Sequence, residues 1–329
     1  MPSGTFGVAL FCTESTSEGV KFAKLVEDLG YQKLWVGDSH MIWREVYILL
    51  GAIAVATKQL HIGPGVTHPV LRHPTVTASA MVSLNELTGG RAYLGIGIGA
   101  TGPGNIGLKP VSLKHLEGTV QLIRRLFSGE TVDLDGKAIR CVYASSGRIP
   151  IYIAATSPRT HDLAAVIADG IVCGGDVELL ETIVQNVRRR SSESGRASDQ
   201  VKIVCWSPCS IDNNRAEARN AVRGMVARAA MVYLGHQHKK GQLVDKEDQK
   251  AVERLWREYD MYHHMGPEHD HLVRDEWIDR YSIAGTPEEV REKVRKILRA
   301  GADEIGIVPF GKSKETLVKT FAREVMEKL

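Results

Sequence analysis

Asp38, Ser39 and His40 put a carboxylate, a hydroxyl and an imidazole on three consecutive residues, directly after the apolar run 33–36. An imidazole titrates near neutrality, so His40 could pass a proton to or from an alkoxide, an amine or a ring nitrogen. The alternative reading has Asp38 capping the next helix and His40 merely exposed. Glu14 follows another apolar run, 5–11, and could do acid–base work or serve as a first-turn helix acid. Two further stretches are rich in glycine: Gly63-Pro64-Gly65-Val66-Thr67-His68 and Gly95-Ile96-Gly97-Ile98-Gly99. Bare glycine ends on neighbouring strands would make a flat backbone floor for a planar ring. The second stretch lacks the glycine spacing of a dinucleotide fingerprint, which argues against a simple phosphate loop there. Ala155-Thr156-Ser157-Pro158 opens a helix after a strand, where free N–H groups and the positive dipole end suit a phosphate. Ser157 as cap and Pro158 at the first helical position fit plain capping equally well. Gly174-Gly175 repeats the pattern one strand later.

His263, His264, Glu268, His269, Asp270 and His271 form a cluster that looks metal-like. Its spacing matches no zinc template and no CxxC accompanies it, so no metal is expected; it reads as a polar lid or substrate wall.

The elements that must position these residues alternate along the chain. Apolar strands are expected at 5–11, 33–36, 60–65, 92–97, 151–154, 170–173, 201–211 and 304–308. Each is followed by an amphipathic segment, such as 15–29 with Phe22, Leu25, Val26 and Leu29 on one face. A hairpin turning at Asp135-Gly136 is expected within 131–142. Strand–helix alternation implies a parallel sheet, and eight units allow closure into an α/β (β/α)8, or TIM, barrel. An open doubly wound sheet is the rival, but no break splits the units into halves. The whole chain, 1–329, reads as one domain. Residues 231–283 depart from the repeat and read as a helical insertion over the barrel mouth, near the C-terminal ends of the strands. In such barrels the working residues lie at those ends, where the residues named above fall.

The bulk properties are ordinary: 329 residues, 43% hydrophobic, 25% charged and a net charge of +3, too small to suggest nucleic acid. The basic run Arg188-Arg189-Arg190 falls at a helix end, where cations are favourable. No apolar run approaches the roughly 20 residues that cross a bilayer, so no membrane partner is expected. The five cysteines form no CxxC pair and suit reduced, buried thiols and a cytoplasmic location.

Four segments, Leu34-Trp35-Val36-Gly37-Asp38, residues 63–91, Cys209-Ser210-Ile211-Asp212 and Ser282-Ile283-Ala284-Gly285-Thr286-Pro287-Glu288-Glu289, make the chain resemble the luciferase-like superfamily of flavin and deazaflavin oxidoreductases. Within it, the chain is similar to the branch of methylenetetrahydromethanopterin reductases, which use coenzyme F420. The resemblance implies hydride transfer between F420 and a small organic substrate. An FMN-dependent monooxygenase and a flavin-binding protein without turnover are the alternatives. It further implies that the cofactor contacts Asp38, Gly65, Val66, Thr67, His68, Gly97, Ile98, Gly99, Ala155, Thr156, Ser157, Gly174 and Gly175, with His40 and Glu14 as catalytic candidates. A cis peptide is implied between Gly65 and Val66, with a bulky residue at 65 filling the ring site rather than the core. Two departures stand out: Ser39 separates Asp38 from His40, and Ala100-Thr101-Gly102 lacks the carboxylate that relatives often carry after the fourth strand. A homodimer through helices of the second and third units is also implied, around Ile48-Leu49-Leu50 and Met81-Val82.

Overall fold

Short apolar segments that lie buried on both faces form the strands, and amphipathic segments with defined caps form the helices around them. A computed structural model describes residues 4–99, 101–144, 147–174, 176–260 and 266–329. The strands are β1 (Thr5–Leu10), β2 (Lys33–Val36), β3 (His61–Pro64), β4 (Leu94–Ile96), β5 (Val132–Leu134), β6 (Lys137–Ile139), β7 (Ile151–Ala154), β8 (Gly170–Gly174), β9 (Lys202–Ile211), β10 (Ile283–Gly285) and β11 (Glu304–Pro309). Helix starts follow local chemistry. Ser15 and Glu18 make a reciprocal capping box, as do Thr286 and Glu289. Pro74 occupies the first turn of Pro74–Thr88, which ends on Gly89 at φ 65°.

The main sheet is wholly parallel and runs β3-β2-β1-β11-β9-β8-β7-β4. Bridges Ile62 to Ala92 and Thr67 to Ile96 join its two edges, so the eight strands close into a barrel in chain order. β5 and β6 form the expected hairpin, turning where Asp135 and Gly136 both adopt positive φ. β10, not expected from the sequence, pairs with the last three residues of β9.

Two apolar layers hold the barrel. The larger lies between strands and helices. The inner one is aromatic: Trp35, Tyr93 and Tyr152 pack with Ala9, Val172, Val204 and Val308, with Trp206 against them. Trp35 lies 4.3 Å from Tyr93, 5.3 Å from Tyr152 and 5.7 Å from Trp206 between ring centroids. The N-terminal end of the barrel is closed by a buried ion pair, Lys33 Nζ to Glu304 at 2.6 Å, with Trp35 Nε1 donating to Glu304 at 2.8 Å. Burial pulls the Lys33 amine down, but Glu304 and the Tyr152 hydroxyl outweigh it and hold the pKa above its usual value.

The segment after β9 is helical: Arg215–Ala221, Arg223–Lys239, Lys246–Glu258, a short turn at Pro267–Leu272, and Asp275–Tyr281. Its apolar residues, from Val222 to Tyr281, form a cluster of their own. Helix Arg223–Lys239 runs through position 231, the expected start of the insertion, and a break at Val222 separates it from Arg215–Ala221. The Tyr233 hydroxyl bonds Gly174 N, and Arg280 pairs with Asp176, so the segment sits at the C-terminal end of β8.

Candidate cofactor site

Asp38 lies just past β2, with its side chain only 1% exposed. It accepts from the Thr67 hydroxyl at 2.6 Å, from Arg72 Nη1 at 2.7 Å and from Arg72 Nη2 at 3.2 Å. A carboxylate taken out of water needs such partners. Arg72 also reaches Glu45 at 2.6 Å and lies 5.0 Å from the Tyr47 ring centre. Burial pulls the Arg72 guanidinium down, and Asp38 and Glu45 more than offset this, raising its pKa. Asp38 therefore fixes Thr67 and Arg72 in place. Thr67 in turn joins β3 to β4 through its backbone, donating to Gly95 O and accepting from Gly97 N, both at 2.9 Å.

Two imidazoles share this corner. His68 is buried, and neither ring nitrogen has a hydrogen-bond partner among the described residues. Burial lowers its pKa; Asp38 opposes that, while Arg72 and His40 add to it. His40 bridges to Trp43 through the backbone, and its Nδ1 is likewise buried without a partner among the described residues. Orphaned polar atoms inside a protein are few, and each needs an explanation. A neutral imidazole offers one donor and one acceptor, so one of each is left unmet at His68.

The Gly65–Val66 peptide is cis. One expectation about it is corrected. A Cβ on Gly65 would come within 2.7 Å of Trp35 Cβ and 2.9 Å of Trp206 Cη2. The missing side chain points into the aromatic interior, so a bulky residue at 65 overpacks the core instead of filling a ring site. Val66 is half-buried, and its methyl groups lie beside Gly95 and Gly97 of the adjoining strand. Ile98 O accepts from Val111 N at 3.0 Å, and Gly99 adopts φ 79°.

The next two strand ends differ from one another. Ala155 is buried and its carbonyl meets His161 Nε2 at 3.2 Å, while Thr156 is exposed. Ser157 caps Pro158–Ile167, accepting from Thr160 N at 3.4 Å, with exposed Arg159 in the first turn. An exposed helix start with a cation beside it suits a phosphate. At β8 the Gly174 N–H is already donated to the Tyr233 hydroxyl at 2.7 Å. A Cβ at 174 would fall 2.3 Å from that hydroxyl, so glycine is required there by Tyr233. Asp176 then caps the following helix and pairs with Arg280. This loop thus carries a carboxylate where a phosphate loop would offer donors, and Gly175 lies outside the described residues.

Asp38, His40, Thr67 and His68 are brought together. Gly97–Gly99, Ala155–Ser157 and Gly174 continue from them along consecutive strands, an arc over five neighbours of the barrel. Glu14 stands apart: its carboxylate bonds Lys314, which lies over the Phe22 ring in the helix layer. Burial would raise the Glu14 carboxyl, but Lys314 outweighs it and holds the pKa below its usual value. An ionised, lysine-paired carboxylate is a poor proton donor near neutrality.

Sequence reading missed Arg72, whose signal was a lone charge between Leu71 and the helix-opening His73-Pro74, and Tyr233, which carried none. It also missed the Phe11–Trp43 stack, 4.5 Å between centroids, beside the mouth. Among the described residues no group of three His, Cys, Asp or Glu side chains could hold a metal. His263 and His264 lie outside them, and His269 is buried against Tyr259 at 4.3 Å, accepting from Asp260 N. A cavity of about 880 Å³ opens elsewhere, between the helical segment after β9 and the last helix, lined by Asp212, Asn220, Asp270, Lys312 and Arg323 among others.

Comparison with known proteins converges on one family. Residues 4–304 match the luciferase-like monooxygenase family. A 5,10-methylenetetrahydromethanopterin reductase of Archaeoglobus fulgidus is 32% identical over 321 residues, covering 94% of each chain. The enzyme of the same name from Methanolobus tindarius is 29% identical over 98% of this chain and 99% of its own. The coenzyme F420 dependent tetrahydromethanopterin reductase of Methanopyrus kandleri has the same fold, with a TM-score of 0.82, 24% identity and 99% of both chains covered. The chain belongs to the luciferase-like monooxygenase family.

Proposed function

We propose that this member of the family is an F420-dependent oxidoreductase, transferring a hydride between the deazaflavin and a small organic substrate in the manner of a methylenetetrahydromethanopterin reductase. The observation that carries the reading is the end-to-end match, at 32% identity, to a relative named for that reaction. The residues present fit such a group. His68 and His40 hold buried, unpartnered nitrogens at the mouth, where a ring carbonyl and ring N–H can complete them. When bound, F420 supplies a carbon that gives or takes hydride.

The chain's own residues do the rest. Asp38 and Arg72 hold Thr67 and the β2–β3 corner rigid, so a ring resting there meets a fixed surface. His40 and His68 would hold the ring edge by hydrogen bonds, and His40 would handle the substrate proton. Val66 would back the ring, and Gly97–Gly99 would let its edge approach. The exposed helix start at Thr156-Ser157, with Arg159, would receive the tail phosphate; the Gly174 N–H, already given to Tyr233, would not. Phe11, Trp43 and the insertion exclude water from the mouth.

The test is a fluorescence titration of the purified protein with F420 and, separately, with FMN. F420 binding near the micromolar range, about −8 kcal/mol, with consumption of reduced F420 on addition of methylenetetrahydromethanopterin, supports the reading. Tight FMN binding with oxygen consumption and no F420 binding replaces it with the monooxygenase. We also propose a cytoplasmic homodimer. Of the residues expected at the contact, Leu49, Leu50, Met81 and Val82 are buried in the chain's own core and only Ile48 is exposed; with Val55 on Val46–Ala56 and Val76 and Leu87 on Pro74–Thr88 it forms an apolar face that a second copy would cover. All five cysteines are free. Light scattering on an eluting peak decides the mass.

A further inference from the structure

Helix Arg223–Lys239 builds the core of the insertion with one face. Val226, Ala230 and Leu234 recur at four-residue spacing and are buried in that core. Arg228 is roughly 160–200° away from Val226 and Ala230 around the helix, so it leaves on the other side. Met225, three residues earlier, marks where that side points. Met225 packs against the aromatic cluster inside the barrel, and Tyr233 bonds Gly174 at the end of β8. Arg228 lies one turn after Met225, about 60° from it around the helix, and is half-buried. The titratable groups that face it are Tyr259 and Tyr233, and burial lowers its pKa.

Four other arginines of this segment are paired. Arg219 meets Asp279, Arg223 meets Asp275, Arg274 meets Asp248 and Arg280 meets Asp176. Arg228 has no carboxylate partner among the described residues, and none of the remaining residues is Asp or Glu. A cation withdrawn from water without a counter-ion is costly. Such a cost persists where function requires it. The guanidinium fork is matched in shape to a carboxylate or phosphate. We propose that Arg228 is the receptor for an anionic group of the substrate, so that the substrate of this enzyme is a carboxylate- or phosphate-bearing molecule entering between the insertion and the barrel mouth. This inference rests on the reading of the mouth as the oxidoreductase site.

The experiment uses the full chain, with Arg228→Met and Arg228→Lys. Inorganic phosphate is the probe, titrated by calorimetry at constant ionic strength into the protein with and without F420. Wild type should bind it, Arg228→Met should weaken binding at least tenfold, and Arg228→Lys should recover most of the loss. F420 affinity, read by fluorescence, should stay within twofold in Arg228→Met. The thermal midpoint of Arg228→Met should rise by about 1–3 °C, because an unpaired buried charge is removed; a merely structural arginine would lower it. No phosphate binding by wild type, or equal binding by wild type and Arg228→Met, overturns the proposal. So does a tenfold loss of F420 affinity in Arg228→Met with unchanged affinity for the tail-less deazaflavin, which would assign Arg228 to the cofactor. Failure of wild type to bind F420 at all strikes the oxidoreductase reading instead, and the phosphate titration without cofactor still decides Arg228.

Discussion

Replacing Arg72 by Met tests whether Asp38 is a buried anion held by its partner. The Asp38 side chain is 1% exposed and that of Arg72 16%. Removing one partner of a buried ion pair costs about 3–5 kcal/mol, because the other charge stays behind. Thr67 still donates to the carboxylate in the variant, so the expected loss is at the lower end, about 3 kcal/mol. Asp38→Asn is different. It leaves Arg72 with Glu45, whose side chain is 39% exposed, and with some access to water. Its cost should be about 1–2 kcal/mol, that of weakened hydrogen bonds to a partly solvated cation. Glu45→Gln, which touches only the exposed half of the network, should cost within about 1 kcal/mol. Urea denaturation of the three variants and wild type, compared at equal slope, measures these differences. An Arg72→Met variant within about 1 kcal/mol of wild type, or an Asp38→Asn variant costlier than Arg72→Met, would refute the account of the corner as a charge-compensated scaffold.

Three further outcomes follow from the same geometry. Gly65→Ala should destabilise the fold by about 1–3 kcal/mol through contact with Trp35 and Trp206; a thermal melt equal to wild type with selective loss of cofactor binding would contradict it. His68 has its pKa lowered by burial, so its contribution to stability is present above the unfolded value near 6.5 and is lost as pH falls through the folded value. The stability gap between wild type and His68→Gln should therefore narrow as pH drops below about 6.5, and a gap independent of pH would argue against a buried neutral imidazole. His40→Ala should lower turnover by about 10²–10⁴-fold while weakening F420 binding no more than about tenfold, the worth of one hydrogen bond, whereas Glu14→Gln should alter turnover little because Lys314 already holds that carboxylate; comparable losses of turnover from both would restore Glu14 to the site.

The barrel was legible because its cause is local. Eight apolar runs, each followed by a helical period, admit few arrangements, and the caps at Ser15, Pro74, Ser157 and Thr286 mark where each helix begins. β10 carried no such signal: three residues pair only because the long β9 projects past its neighbours. The glycines were legible as positions but not in direction. A glycine says that a side chain cannot be present, and the sequence does not say on which side. At 65 the forbidden side holds Trp35 and Trp206, and at 174 it holds Tyr233, residues distant in the chain. The same limit applies to charge. Asp38 and Glu14 each end a barrel strand and look equivalent in sequence, yet one lies among Thr67, Arg72 and two orphaned imidazoles and the other beside Lys314 in the helix layer. What separates them is the partner supplied by another unit of the barrel. For the same reason Arg228 was invisible: its significance is the absence of a partner that Arg219, Arg223, Arg274 and Arg280 each have, and only the folded arrangement shows it.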